Sequence, residues 1–182
     1  MPTFIALLRG INVSGHNKIP MPELRSLCTG LGWDDVQSYI QSGNLVFTAE
    51  DQPQYLQTEL ETAIERHFDL SIPVIVQAAA DWPGYIASNP FLEASQREPN
   101  LVMIALSKSP PKREALVGLL ERAVNGERIA QSEDALWVHF AAGVAKSKLS
   151  PALFDRLVGS PVTMRNWRTV LKLAELADNR LK

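Results

Sequence analysis

Residues 3–77 present strand-length and helix-length segments in one order, and that order leaves few folds open. Thr3 to Arg9 (TFIALLR) is a continuous apolar run, as a strand buried in a sheet requires. A helix follows from about Pro22, a residue suited to a first helical turn, and ends near Gly30 to Gly32. Val36, Ser38 and Ile40 alternate with Gln37, Tyr39 and Gln41, which predicts a strand with one wetter face. Ser42-Gly43-Asn44 has the composition of a hairpin turn, and the chain returns from Leu45 as the paired strand. Leu56, Leu60, Ile64 and Phe68 mark a second amphipathic helix, and Pro73 to Gln77 a last strand. The order is β-α-β-β-α-β, the ferredoxin-like unit.

The second half repeats that order. A short helical stretch around Trp82, Tyr85 and Ile86 leads into a polar connector, SNPFLEASQREPN. Leu101 to Leu106 is an apolar strand, and Ser109-Pro110-Pro111 opens a helix with Leu116, Leu119, Leu120 and Val124 on one side. Arg128 to Gln131 and Leu136 to Phe140 form a hairpin across Ser132-Glu133-Asp134. A helix over Pro151 to Val158, a short strand near Val162 and a final helix from about Asn166 complete the set. The halves share this order of elements and no residue-level similarity. The expected fold class is α+β, two ferredoxin-like subdomains in tandem over residues 1–89 and 90–182.

At 182 residues the chain buries enough surface to need no staple, roughly 70% of what the unfolded chain exposes. Its one cysteine, Cys28, excludes an internal disulfide framework and a cysteine-rich zinc site. Leu24, Leu27, Cys28 and Leu31 fall at helical spacing, so the thiol is expected to face the core. No apolar run approaches membrane-spanning length, and MPTFIALLRG lacks a basic leader or cleavage pattern. A cytoplasmic location is expected. The net charge of −2 is uneven. Residues 34–69 carry eight acids against Arg66, whereas the bases gather at the two ends of the chain. Ends that meet in space would make a positive patch on an acidic protein.

The segment of most chemical interest is LRGINVSGHNKIP, from Leu8 to Pro20. It follows a buried strand and carries Arg9, His16, Lys18 and two glycines, with no carboxylate before Glu23. Such a loop is suited to holding an anion with backbone N–H groups and cations. It is not a nucleotide P-loop: His16 stands where the lysine belongs and Asn17 where the magnesium-binding hydroxyl belongs.

LRGINVSGHNKIPM, YIQSGNLVF and TMRNWRTVLKL together resemble a bacterial family catalogued as domain of unknown function 1697, from one end of the chain to the other. The family pattern has two adjacent glycines where this chain has Ser14-Gly15. The resemblance implies two ferredoxin-like subdomains and brings no activity with it. Its recurring segments coincide with the basic loop, the Ser-Gly-Asn hairpin and the Thr163 to Thr169 segment, which joins them into one expected site. The candidate ligand-binding residues are Arg9, Asn12, His16, Lys18, Ser42, Asn44, Lys148, Arg165 and Asn166. One obstacle stands against that site. The hairpin, between strands two and three, is expected at the opposite end of the sheet from the loop after strand one.

Each motif also has a plainer use. Gly43 and Asn44 suit a turn that needs positive φ. Trp167, Val170, Leu171 and Ala174 follow helical spacing, and Thr163 or Asn166 suits a cap. Arg165 and Arg168 near that helix start call for an anionic partner, internal or bound. His16, His67 and His139 are isolated, without metal-ligand spacing, so no metal is expected. No catalytic residue and no cofactor is assigned, since no nucleophile, base and orienter appear together. The leading expectation is a small anionic, phosphorylated ligand bound at a basic cleft between the subdomains. The alternatives are a single-stranded nucleic-acid binder presenting Tyr39 and Trp137, disfavoured by a pI of 5.9, and a homo-oligomeric assembly module.

Overall fold

The computed structural model describes residues 1–179, so the last three positions of the expected second subdomain lie outside the described residues. The chain divides into two compact units. One holds residues 1–83 together with the chain from Leu173, and the other holds residues 84–172.

In the first unit the elements are β1 (Thr3–Leu8), α1 (Met21–Gly30), β2 (Asp34–Tyr39), β3 (Asn44–Thr48), α2 (Pro53–Phe68) and β4 (Val74–Ala78). The sheet order is β2-β3-β1-β4, and every pair is antiparallel. Phe4, Ala6, Leu8, Leu45, Phe47, Val74 and Val76 of the sheet share a core with Leu24 and Cys28 of α1 and with Leu56, Leu60 and Ile64 of α2. Each large aliphatic side chain so buried contributes roughly 1.5–3 kcal/mol. Trp33 stacks on Phe47 at 4.0 Å and donates its indole N–H to Glu59 Oε2 at 2.9 Å. Ile5 and Leu7 are buried as well, so β1 is covered on both faces, as its unbroken apolar run predicts. α2 stops at Asp69, whose φ of +54° and N–H to the Glu65 carbonyl close the last turn.

After α3 (Trp82–Ala87) and α4 (Leu92–Arg97), the second unit repeats this plan with β5 (Val102–Ser107), α5 (Ala115–Leu120), β6 (Glu127–Ser132), β7 (Ala135–Phe140), α6 (Pro151–Val158) and β8 (Val162–Asn166); α7 (Trp167–Asp178) follows, its residues from Leu173 belonging to the first unit. The sheet order β6-β7-β5-β8 matches the first sheet position for position. Ser150 caps α6 by accepting from Leu153 N–H at 3.2 Å, and Asn166 caps α7 by accepting from Thr169 N–H at 3.0 Å.

Two expectations change. The polar connector contains a helix, α4, because Asn89 organises its start. The Asn89 amide accepts from Phe91 N–H at 2.9 Å and donates to Ser95 Oγ at 2.8 Å. The helix expected from Pro110 through Val124 is only α5, with its core side taken by Ala115 and Leu119. Leu120 and Val124 are exposed.

Candidate functional site

The loop after β1 and the β2–β3 hairpin lie at the same end of the first sheet, which corrects the expectation of opposite ends. β3 runs antiparallel between β1 and β2, so β1 and β2 end on one edge. Leu7 accordingly pairs with Asn44, the first residue of β3. The two segments interlock directly. Leu8 N–H donates to the Gly43 carbonyl at 2.8 Å, and Asn12 Nδ2 donates to the Gln41 carbonyl at 2.8 Å. Gly43 has a φ of +83°, and a Cβ there would stand 2.6 Å from Leu8 Cβ and 2.9 Å from Ile11 Cδ1. Only glycine fits so close an approach.

The loop spends its polar groups on its own shape. Asn12 also donates to the Ile19 carbonyl at 3.0 Å and accepts from Ile19 N–H at 2.9 Å, so its amide is engaged at both ends. Asn17 Nδ2 donates to the Gly10 carbonyl at 3.0 Å. Asn44 Nδ2 donates to the Tyr39 carbonyl and to Ser42 Oγ, each at 3.0 Å. Asn12, Ser14, Asn17 and Ile40 all hold φ near +50°, and for the β-branched Ile40 that is a true outlier. Serine at position 14 therefore occupies a conformation that the first glycine of the family pattern would adopt without strain. His16 is exposed, and its backbone N–H donates to the Val13 carbonyl at 2.9 Å. Lys18 is exposed and Arg9 partly so.

The second unit contains a hollow of about 590 Å³ where α5 ends and α6 begins. Arg122, Lys148 and Arg156 line it with Glu121 as the one carboxylate, and Val124, Ser150, Ala152 and Leu153 complete the wall. Gly118 lets the two helices approach, since a Cβ there would meet Leu157 Cδ2 at 3.0 Å. Arg122 Nη1 donates to the Gly118 carbonyl at 2.8 Å and lies 3.7 Å from Glu121. Lys148 and Arg156 have no ion-pair partner among the described residues. The first amides of α6 add the positive end of a helix dipole.

Glu127 anchors the strand end beside this hollow. It is buried, and it accepts from Ser147 Oγ and from Asn125 N–H. Burial raises its pKa, but the bonds from Ser147, its own N–H and Asn125 N–H together outweigh that and hold it below the usual carboxylate range. Asn125 Nδ2 donates to the Lys146 carbonyl at 2.8 Å, and Ser147 Oγ accepts from Leu149 N–H at 3.1 Å. The segment that carries Lys148 is thus tied down on both sides.

Other candidate residues take different places. Arg165 is buried, and its Nη1 donates to Thr163 Oγ1 and to the Met164 carbonyl, each at 2.8 Å, so it stands off the accessible surface. Burial pulls its pKa down to about 10, which still leaves it cationic at neutral pH. Asn166 serves as the cap of α7. Trp137 is fully buried beside Trp167, at 5.8 Å between ring centres, and presents no stacking face to solvent. Sequence reasoning missed Arg122 and Arg156, whose positions around one hollow have no signature in spacing. It also missed the pairing of buried His139 with Glu98 Oε2 and Arg128 Nη2, both at 3.1 Å, across 41 and 11 residues. Among the described residues no group of three His, Cys, Asp or Glu side chains is placed to hold a metal ion. No described helix is long and apolar enough to cross a membrane.

Comparison with known proteins bears on this geometry. The family described as "Protein of unknown function (DUF1697)" matches residues 1–137, a span that includes the loop and the hairpin. The Thr163 to Leu173 motif lies beyond it, which shortens the end-to-end resemblance. No curated protein is significantly similar. A conserved bacterial protein from Streptococcus pneumoniae has a similar structure, with a TM-score of 0.74 at 24% identity over 97% of this chain and 98% of that one. That likeness speaks for the fold, two tandem ferredoxin-like subdomains. With its loop and hairpin motifs inside the matched span, the chain belongs to the DUF1697 family.

Proposed function

We propose that the second unit binds a small phosphate-bearing anion in the hollow between α5 and α6. The observation that carries this reading is the convergence of Lys148, Arg156 and Arg122 on one concavity against the single carboxylate of Glu121. The volume is that of a small-molecule site. Guanidinium groups offer paired donors to phosphate oxygens, and the ammonium of Lys148 adds a mobile point charge. The segment holding Lys148 is fixed by Glu127 and Asn125, so ordering it costs little on binding.

The reading is of binding rather than catalysis. Ser150 is the hydroxyl in the wall, its Oγ accepts from Leu153 N–H, and no histidine lines the hollow to serve it as base. The loop with Arg9, His16 and Lys18 offers charge too, but its asparagines are engaged within the loop and hairpin. A cytoplasmic setting suits a phosphorylated ligand. It also suits a lone Cys28 whose thiol burial pushes up to about 12.

Calorimetric titration with inorganic phosphate and pyrophosphate at low and moderate salt tests the proposal. Saturable binding that weakens with salt, and at least tenfold in Lys148→Ala/Arg156→Ala, is expected. Binding undiminished in that variant but lost in Lys18→Ala moves the anion to the first-unit loop. A flat titration with both anions removes the function.

A further inference from the structure

The wall of the hollow is not polar all round. Val124, in the segment that follows α5, is 60% exposed, and Ala152, in the first turn of α6, is exposed as well. Val124 belongs to the wall of the hollow, and Ala152 and Leu153 add further apolar surface to it. Cations and uncovered aliphatic side chains therefore meet at one place. A bare phosphate gains nothing from such neighbours, whereas each methylene taken out of water improves binding by about fourfold.

Resting on the reading of the hollow as an anion site, we infer that its ligand is amphiphilic, a phosphate monoester bearing a short hydrocarbon chain. The phosphate lies at Lys148, Arg156 and Arg122, and the chain runs over Val124 and Ala152. The occupant is a dissolved small molecule rather than a bilayer. The protein's net charge of −2 opposes approach to an anionic surface, and a hollow of about 590 Å³ accommodates one compact ligand.

The test titrates the full chain at fixed ionic strength with inorganic phosphate and with n-hexyl phosphate. Hexyl phosphate is expected to bind at least tenfold more tightly, and Val124→Ser to narrow that ratio to about threefold. Val124 is exposed, and circular dichroism checks that the variant folds. Equal affinities in the unchanged protein overturn the inference while phosphate binding stands. Failure of both ligands overturns the anion site and the inference together. Co-sedimentation with phosphatidylglycerol vesicles, without binding of hexyl phosphate, hands the surface to a membrane and also overturns it.

Discussion

Gly43→Ala tests the interlock of loop and hairpin. Two costs combine there. Alanine in the left-handed region loses about 1 kcal/mol relative to glycine. The new methyl also meets Leu8 Cβ at 2.6 Å and Ile11 Cδ1 at 2.9 Å, against ordinary carbon contacts of about 3.5–4.0 Å. Leu8 Cβ is fixed to a β1 backbone whose N–H bonds the Gly43 carbonyl, so it cannot swing aside as a side-chain tip would. Overpacking of that kind costs about 1–3 kcal/mol, giving a total of about 2–4 kcal/mol. Gly15→Ala is the matched control. Its φ is +78°, and nothing lies within 4 Å of the new Cβ, so only the conformational cost of about 1 kcal/mol applies. The loss of unfolded-chain entropy is the same for both and cancels in the difference. Urea unfolding, together with amide-exchange protection along β1 and β3, measures each variant. Two variants within about 0.5 kcal/mol of one another would refute the close approach of hairpin and loop.

Asn12→Ala removes three hydrogen bonds, to Ile19 N–H, the Ile19 carbonyl and the Gln41 carbonyl, and leaves alanine at φ +54°. A loss of about 2–4 kcal/mol in urea unfolding is expected. Ser14→Gly should stabilise by about 0.5–1 kcal/mol in the same assay, because φ at position 14 is +50°. Glu127 has a folded pKa below its unfolded value, so its stabilisation is present above the unfolded carboxyl range of about 4.3 and is lost as pH falls through the lower folded value. Glu127→Gln should flatten that acid limb in a series of unfolding curves against pH. With its pKa pushed to about 12, mainly by burial and further by the charge of Glu59, Cys28 should resist iodoacetamide at pH 8 in the folded protein and react once urea unfolds it, as read by mass spectrometry.

The strands and long helices were legible because each carries its burial in its period. β1 is an unbroken apolar run and is buried on both faces. α6 was expected over Pro151 to Val158, and the structure has it at those bounds. α4 was not legible, because its start depends on the Asn89 side chain bonding forward to Ser95, and that composition also suits a loop. The error over α5 has the same character. Leu116, Leu119, Leu120 and Val124 do fall at helical spacing, but α5 ends at Leu120, and spacing alone does not mark where a helix stops.

The misplacement of the hairpin was avoidable from topology alone. In a β-α-β-β-α-β sheet the third strand lies between the first two, which therefore run parallel and end on one edge. The loop and hairpin must meet there, whatever their sequences. Charge is the harder case. Lys148 and Arg165 looked alike as cations near the basic end of the chain, yet one lines an open hollow and the other is spent inside β8 and its neighbours. Their difference follows from strand register: Arg165 pairs opposite Ile104 within the sheet, on a backbone that leaves its side chain little solvent. Lys148 sits in the segment between β7 and α6 that Glu127 holds in place. A run of basic residues therefore supplies candidates for an anion site, and burial set by register decides which of them reach water. By that criterion the cations to test are Lys148, Arg156 and Arg122.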